Sequence, residues 1–168
     1  FWYGVSLNPR CKLVTFNGRG FDLPLLELAA FRYGLSCRDY YQGSRNRYGG
    51  NTLDLCDWMS NYGAARVAGG LNLMAKLIGK PGKMDVAGDQ VYRMHRDGKH
   101  QEINDYCLCD TLDTYFVFLR SRVLTGDLSA EQEADLLDRA RELLEGKVDE
   151  FPALREYLDR WDDGERGA

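Results

Sequence analysis

The sequence predicts an α/β fold with a helical C-terminal extension. A short apolar stretch at residues 12–16 leads into a glycine-containing turn and then into a helical pattern, as in α/β proteins. Most of the remaining chain has the spacing of helices. The 168 residues are 44% hydrophobic and 29% charged, which is typical of a globular domain with a sizeable core. We therefore predict a main domain over residues 1–126 and an acidic helical extension over residues 127–168.

The first strand and helix are predicted from local signals. Val14 and Phe16 favour a strand, and residues 17–20 have the composition of a turn. Asp22 precedes an early proline and an apolar run, which indicates that a helix begins there. The helix is predicted to end at Gly34. Asp22 is thus a candidate helix cap.

The rest of the chain is predicted to be a polar loop and a series of helices. Ser129 and Gln132 form a capping-box pattern at the start of one of them. The loop covers residues 35–51, and the helices cover residues 53–62, 71–78, 88–94, 101–124, 129–146 and 152–161.

The net charge of −4 conceals an uneven distribution. Residues 1–126 carry 16 Lys and Arg against 12 Asp and Glu, whereas residues 127–168 carry 6 against 14. The main domain is therefore mildly basic, and the charge of the whole chain does not exclude a nucleic-acid partner.

Composition also bears on location. The sequence has no apolar run long enough to span a membrane and no secretory leader, so we expect a cytoplasmic protein without a membrane partner. Its five cysteines lack zinc-site spacing, which favours reduced thiols. The chain does not begin with Met, which leads us to expect a fragment of a longer protein.

Three superficial motif matches fail on their spacing. The Gly-x-Gly after the first strand lacks the third glycine of a dinucleotide fingerprint, because Leu23 stands there. The GKPGK stretch lacks the first glycine and the Ser or Thr of a phosphate loop. HRDGK lacks the metal-binding Asn of a kinase catalytic loop.

Two aspartates are candidates for metal chemistry. Asp22 follows the first strand, at the edge where α/β folds gather their functional groups. Asp110 lies four residues after Tyr106 on a predicted helix, so both side chains share one face. Asp110 lies in an apolar stretch, and a partly buried carboxylate favours a cation as partner. The alternatives are a helix cap for Asp22 and a solvated helix residue for Asp110.

These residues also resemble a known family. Asn17, Phe21 and Asp22 match the second motif of proofreading 3′–5′ exonucleases, and Tyr106 with Asp110 matches the third, tyrosine-type motif. The stretches LVTFNGRGFDLPLL, TLDLCDW, LIGKPGK and YCLCDTLDTYFVFLR occur in the order and spacing of predicted 3′–5′ exonucleases related to the proofreading domain of family-B DNA polymerases. The resemblance covers roughly residues 11–125.

The resemblance implies a ribonuclease-H-like fold and a phosphodiesterase that uses two Mg²⁺ or Mn²⁺ ions about 3.5–4 Å apart. Asp22 and Asp110 match two of the metal ligands, and Tyr106 matches the residue that orients the attacking water. Asn17 and Phe21 match substrate-side or loop-shaping positions, with a core position as the alternative for Phe21. Asp54 matches a structural or supporting position near the ligands.

The match is incomplete at the first motif, Asp-x-Glu, which supplies the other two carboxylates in the family. We expect that motif upstream of Phe1, so that this chain would be an N-terminally truncated domain, weak in metal binding and inactive by itself. Asp163-Gly164-Glu165 lies in a polar end and is not accepted as a substitute. Leu108 stands where the family often has an acidic residue.

A basic and aromatic segment is the candidate nucleic-acid interface. Residues 32–48 carry four arginines and one aspartate, interleaved with tyrosines. Arg45 and Arg47 are expected to meet phosphates while Tyr48 stacks on a base. Lys80 and Lys83 are further candidates for phosphate contacts, and Asp113 is expected at the surface. The alternative is an ordinary surface loop anchored by its tyrosines.

Three functions follow as hypotheses. The first is a metal-dependent 3′–5′ exonuclease acting on single-stranded DNA ends. The second is a catalytically inactive nucleic-acid-binding module, and the third is a structural or partner-binding fragment. The sequence does not discriminate DNA from RNA, since that depends on the shape of the pocket around the 2′-hydroxyl.

Overall fold

The computed structural model describes residues 1–48, 50–82 and 90–162. The chain divides into two compact units, Phe1–Val67 and Ala68–Ala168, which are described in turn. Within the described residues, no helix combines the length and apolar character needed to cross a membrane.

The first unit combines a two-stranded parallel sheet with short helices. Strands β1 and β2 pair with Val14 opposite Leu53 and Thr15 opposite Asp54. Helices and a sheet therefore occur together, as the α/β prediction requires. The elements are α1 (Trp2–Leu7), β1 (Leu13–Thr15), α2 (Asp22–Tyr33), a π-helical turn (Tyr40–Ser44), β2 (Thr52–Asp54) and α3 (Leu55–Met59).

The prediction of a helix from residue 53 is wrong at its start. Leu53 and Asp54 belong to β2, and α3 begins only at Leu55 and ends at Met59, three residues before the predicted end. The apolar spacing suits either structure, and pairing with β1 decides for the strand because it satisfies the backbone hydrogen bonds of both. The predicted loop over residues 35–51 also differs, since it contains the π-helical turn.

The interpretation of Asp22 as a helix cap is wrong. Phe21 occupies the N-cap position of α2 and makes no side-chain cap hydrogen bond, while Asp22 is the first helical residue. A carboxylate in the first turn still interacts favourably with the helix dipole. The predicted end is confirmed, because Gly34 closes α2 with a left-handed φ of 64°.

The second unit is helical in its described part. The predicted helices are confirmed to within two residues at the ends that the structure describes, and the capping box of Ser129 and Gln132 is formed. Gly88, the predicted start of one helix, lies outside the described residues. The helices are α4 (Gly70–Leu77), α5 (Val91–Arg96), α6 (His100–Leu124), α7 (Ala130–Glu145) and α8 (Ala153–Asp159).

Helix α6 is the centre of this unit. Phe116 and Leu119 of α6 pack in one apolar cluster with Leu144 of α7 and with Leu154 and Tyr157 of α8. The acidic segment after residue 126 therefore contributes its leucines and Tyr157 to a shared core. The division of an exonuclease domain from an extension at residue 126 stays a prediction.

Asp113 was expected at the surface, and the structure contradicts this expectation. Only 1% of Asp113 is exposed, and the Tyr157 hydroxyl donates a 2.6 Å hydrogen bond to its carboxylate. Lys80 is buried as well, with its ammonium 3.8 Å from the ring centre of Trp161. A buried ammonium is not presented to a phosphate, so the expected role of Lys80 is not supported. Lys83 lies outside the described residues.

The buried carboxyl of Asp113 should make stability depend on pH. Burial raises its pKa from the ordinary 3.8 to about 6, and the charge of Asp110 adds to the shift, while Tyr157 and Lys80 oppose it. A raised pKa in the folded state means that the folded protein holds the proton more tightly. The resulting stabilisation is complete below about pH 4 and is lost as the pH rises through 6, by roughly 3 kcal/mol.

The measurement is the unfolding free energy in urea between pH 4 and 7. Asp113→Asn keeps an oxygen for Tyr157 and should abolish this part of the pH dependence. Asp149→Asn removes an equal charge from a fully exposed side chain and serves as the control. Identical pH profiles of wild type and Asp113→Asn would contradict the assignment.

Candidate active site

The turn that links β1 to α2 brings several predicted residues together. Asn17 adopts a left-handed φ of 60°, a conformation that asparagine tolerates better than most residues. Gly18 is packed so closely that a Cβ there would lie 2.5 Å from the Cβ of Thr15. The turn therefore has a defined shape, and it delivers Asp22 at the start of α2.

Asp54 holds this turn in place. Its carboxylate is 3% exposed and accepts 2.8 Å hydrogen bonds from the backbone N–H groups of Asn17 and Arg19. The same side chain caps α3 by accepting from the N–H groups of Cys56 at 3.1 Å and Asp57 at 3.3 Å. One buried side chain thus joins the end of β2, the start of α3 and the turn that carries Asn17.

Asp22 is exposed, and it lies within the electrostatic reach of Asp54. Partial desolvation raises the pKa of Asp22, and the negative charge of Asp54 raises it further, while a backbone hydrogen bond opposes both. A cation beside Asp22 would offset the repulsion between the two carboxylates and lower the pKa of Asp22. Phe21 next to it is 61% exposed, so its alternative assignment to the core is wrong.

Tyr106 and Asp110 form a pair within α6. They are one helical turn apart, and both are partly buried. Burial and the hydrogen bond to Asp110 raise the pKa of Tyr106 to about 12. The phenol therefore stays protonated at neutral pH and is a hydrogen-bond donor rather than a base.

The predicted phosphate-binding arginines are engaged in ion pairs. Arg45 pairs with Glu27 at 3.2 Å and stacks on Tyr41. Arg47 pairs with Asp57 through two hydrogen bonds, and its guanidinium lies 5.6 Å from the ring centre of Tyr48. Both arginine side chains keep about half of their surface exposed. A phosphate bound to either one would share its positive charge with the carboxylate that is already paired with it. The ring of Tyr48 is largely exposed.

Two basic residues of the first unit, Arg19 and Lys12, were not among the residues predicted from the sequence. The Arg19 guanidinium donates to the backbone carbonyls of Arg45, Asn46 and Thr52, at 3.0–3.3 Å, and so fixes the segment before β2. Lys12 is exposed and, among the described residues, has no hydrogen-bonding or ion-pair partner. Arg19 stands between two glycines of the turn, and this position could have marked it as a candidate functional residue. Nothing in the residues around Lys12 marks it in the same way.

Each unit contributes one candidate ligand for a hard divalent cation, Asp22 in the first and Asp110 in the second. Asp22 and Asp110 offer carboxylate oxygens, the ligands that Mg²⁺ and Mn²⁺ prefer. Asp54 is occupied by four backbone N–H groups. Within the described ranges, no three His, Cys, Asp or Glu side chains form a cluster that could hold a metal ion. Further ligands would have to complete any site.

Comparison with known protein families finds a match over most of the chain. The family of predicted 3′–5′ exonucleases related to the exonuclease domain of PolB matches residues 1–161. No curated protein and no solved structure matches the chain.

Proposed function

Since the chain belongs to the family of predicted 3′–5′ exonucleases related to the exonuclease domain of PolB, we propose that its natural gene product removes nucleotides from the 3′ ends of single-stranded DNA. The proposed fold is ribonuclease-H-like, and the proposed reaction is hydrolysis of the terminal phosphodiester with two divalent metal ions. Asp22 and Asp110 are the proposed metal ligands in this chain.

The observation that carries the proposal is the Tyr106–Asp110 pair. A single carboxylate on a helix is compatible with many roles. A partly buried phenol that is hydrogen-bonded to the carboxylate is compatible with fewer roles. A protonated phenol can hold a water through hydrogen bonds without competing for its proton. This combination supports Tyr106 as the residue that positions the attacking water and Asp110 as a ligand.

When bound, the metal ions would lower the pKa of the attacking water and stabilise the leaving 3′ oxygen. The residues of this chain would position the metal ligands and the substrate. Asp54 and Arg19 fix the turn that precedes Asp22, so that its carboxylate is held on a defined backbone. Asn17 and Phe21 lie in or next to that turn and are proposed to face the substrate.

An end-labelling assay tests the proposal. The natural gene product is incubated with single-stranded oligonucleotides labelled at either end, with Mg²⁺ or Mn²⁺ or with EDTA. We expect the 3′ label to be released first as a mononucleotide, the 5′-labelled strand to shorten progressively, and EDTA to stop both. Cleavage from the 5′ end, internal cleavage or activity in EDTA would contradict the proposed mechanism.

A nucleic-acid-binding module without catalysis is the second candidate. It is favoured by the lack, in the residues that the structure describes, of any cluster of three metal-ligating side chains. This alternative requires binding of single-stranded DNA that weakens steeply with salt and releases no nucleotides.

A further inference from the structure

A cavity of about 250 Å³ opens beside the turn that Asp54 holds, entirely within the first unit. Its wall includes several aromatic and basic side chains. Asp54 and Arg19, which shape the turn before Asp22, also belong to the wall, so the cavity adjoins that turn. Other lining residues are Lys12, Arg47, Tyr48, Trp58 and Tyr62.

Two of the tyrosines that line the cavity are exposed. Tyr48 is 76% exposed and Tyr62 is 47% exposed. The two ring centres are 5.7 Å apart at an interplanar angle of 50°, so the rings contact each other and leave no slot between them. A flat ligand would therefore have to stack on the exposed surface of the Tyr48 ring.

Arg47 lies against both rings of this aromatic platform. Its guanidinium lies 5.6 Å from the ring centre of Tyr48 and 5.8 Å from that of Tyr62, and it donates two hydrogen bonds to the Asp57 carboxylate. Because Arg47 is neutralised by Asp57, it is better suited to supporting the rings than to binding a phosphate. A platform that is ordered before binding loses less conformational entropy when a ligand stacks on it.

Lys12 supplies the charge that Arg47 does not. Its ammonium has no ion-pair partner among residues 1–48, 50–82 and 90–162, and it lines the same cavity. An aromatic face with an adjacent unpaired cation is the combination that binds one unpaired nucleotide, with the base on the ring and the phosphate at the cation.

We propose that this cavity is a nucleotide subsite, in which Tyr48 stacks on an unpaired nucleobase and Lys12 binds an adjacent phosphate. The proposal rests on the proposed function, since it concerns the strand whose 3′ end would be degraded. Stacking tolerates every base, as a nonspecific exonuclease requires. The subsite would hold the strand without taking part in the chemistry.

Binding without cleavage tests the subsite separately from catalysis. A fluorescently labelled oligothymidylate and a strand of the same length with abasic sites are titrated with the protein in EDTA, and the anisotropy is recorded. Wild type should prefer the strand with bases. Tyr48→Ala should lower the affinity for oligothymidylate about tenfold and leave the affinity for the abasic strand unchanged.

Control variants match each change. Tyr3→Ala removes a tyrosine that is also 75% exposed, on α1, and should bind as wild type. Lys12→Ala should weaken both strands about equally and reduce the salt dependence of binding by about one phosphate contact, whereas Lys76→Ala on α4 should not.

The outcomes separate this proposal from the proposed function. The subsite proposal is wrong if Tyr48→Ala binds oligothymidylate as tightly as wild type does, or if wild type binds the abasic strand as tightly as oligothymidylate. This holds even when the 3′ end is degraded. If the base preference depends on Tyr48 while no nucleotide is ever released, the subsite is right and the exonuclease proposal is wrong.

Discussion

Replacement of Asp110 by asparagine should lower the rate of 3′-end release by more than about a thousandfold. In the proposed mechanism Asp110 is a direct ligand of the metal ions. Even a single hydrogen-bond donor that stabilises a transition state contributes about 10²- to 10³-fold to the reaction rate. The asparagine is close in shape and retains an oxygen for the Tyr106 hydroxyl. The loss would therefore reflect the missing charge rather than a rearranged helix.

The measurement is single-turnover release of a 3′-labelled nucleotide by the natural gene product, with folding checked by circular dichroism. Asp105→Asn is the matched control, because Asp105 lies on the same helix and its carboxylate accepts from the Gln101 side chain. That variant should keep wild-type activity. Wild-type turnover in Asp110→Asn would show that Asp110 is not a ligand.

Tyr106→Phe refines this prediction. It removes the hydroxyl and keeps the ring, so activity should fall less than in Asp110→Asn. Since the pKa of Tyr106 is raised to about 12, its protonation does not change between pH 6 and 10. The variant should therefore reduce the rate without altering the pH profile in that range.

The parts of the fold that the sequence predicted well depend on neighbouring residues. The capping box at Ser129 and the glycine that ends α2 act within a few residues, so the composition of a short window suffices. The start of the helix at residue 53 was wrong for the opposite reason. Leu53 pairs with Val14, 39 positions earlier, and such pairing leaves no local signal.

The same distinction applies to the candidate site. The motif spacing placed Asn17, Asp22, Tyr106 and Asp110 on their elements, but it did not reveal what surrounds them. Arg45 is paired by Glu27, and Asp113 is buried because Tyr157 lies opposite it. Charge balance counted in a segment cannot show that a distant carboxylate has already neutralised an arginine.

Removal of the Asp54 carboxylate should have the largest effect on the stability of the first unit. Four backbone N–H groups converge on this one buried side chain, two from the turn and two from the start of α3. Asp54→Ala leaves all four without their acceptor. A lost helix cap costs about 0.5–2 kcal/mol and each buried unsatisfied group about 1–3 kcal/mol.

The expected loss in Asp54→Ala is therefore about 3–5 kcal/mol in the unfolding free energy, after partial hydration of the exposed groups. Asp54→Asn provides an internal comparison. Oδ1 accepts from Asn17, Cys56 and Asp57, whereas Oδ2 accepts from Arg19 alone. An asparagine that keeps Oδ1 loses one bond and should lose only about 1–2 kcal/mol.

Urea denaturation of both variants, followed by circular dichroism, measures these differences. Asp39→Ala is the control, since Asp39 also precedes a helical turn in the first unit but makes no cap hydrogen bond. Asp54→Ala should additionally lower nuclease activity under conditions where it is still folded, because the turn that positions Asp22 is no longer fixed. If Asp54→Ala stays within about 1 kcal/mol of wild type, the N–H groups have found other acceptors, and Asp54 does not organise the turn.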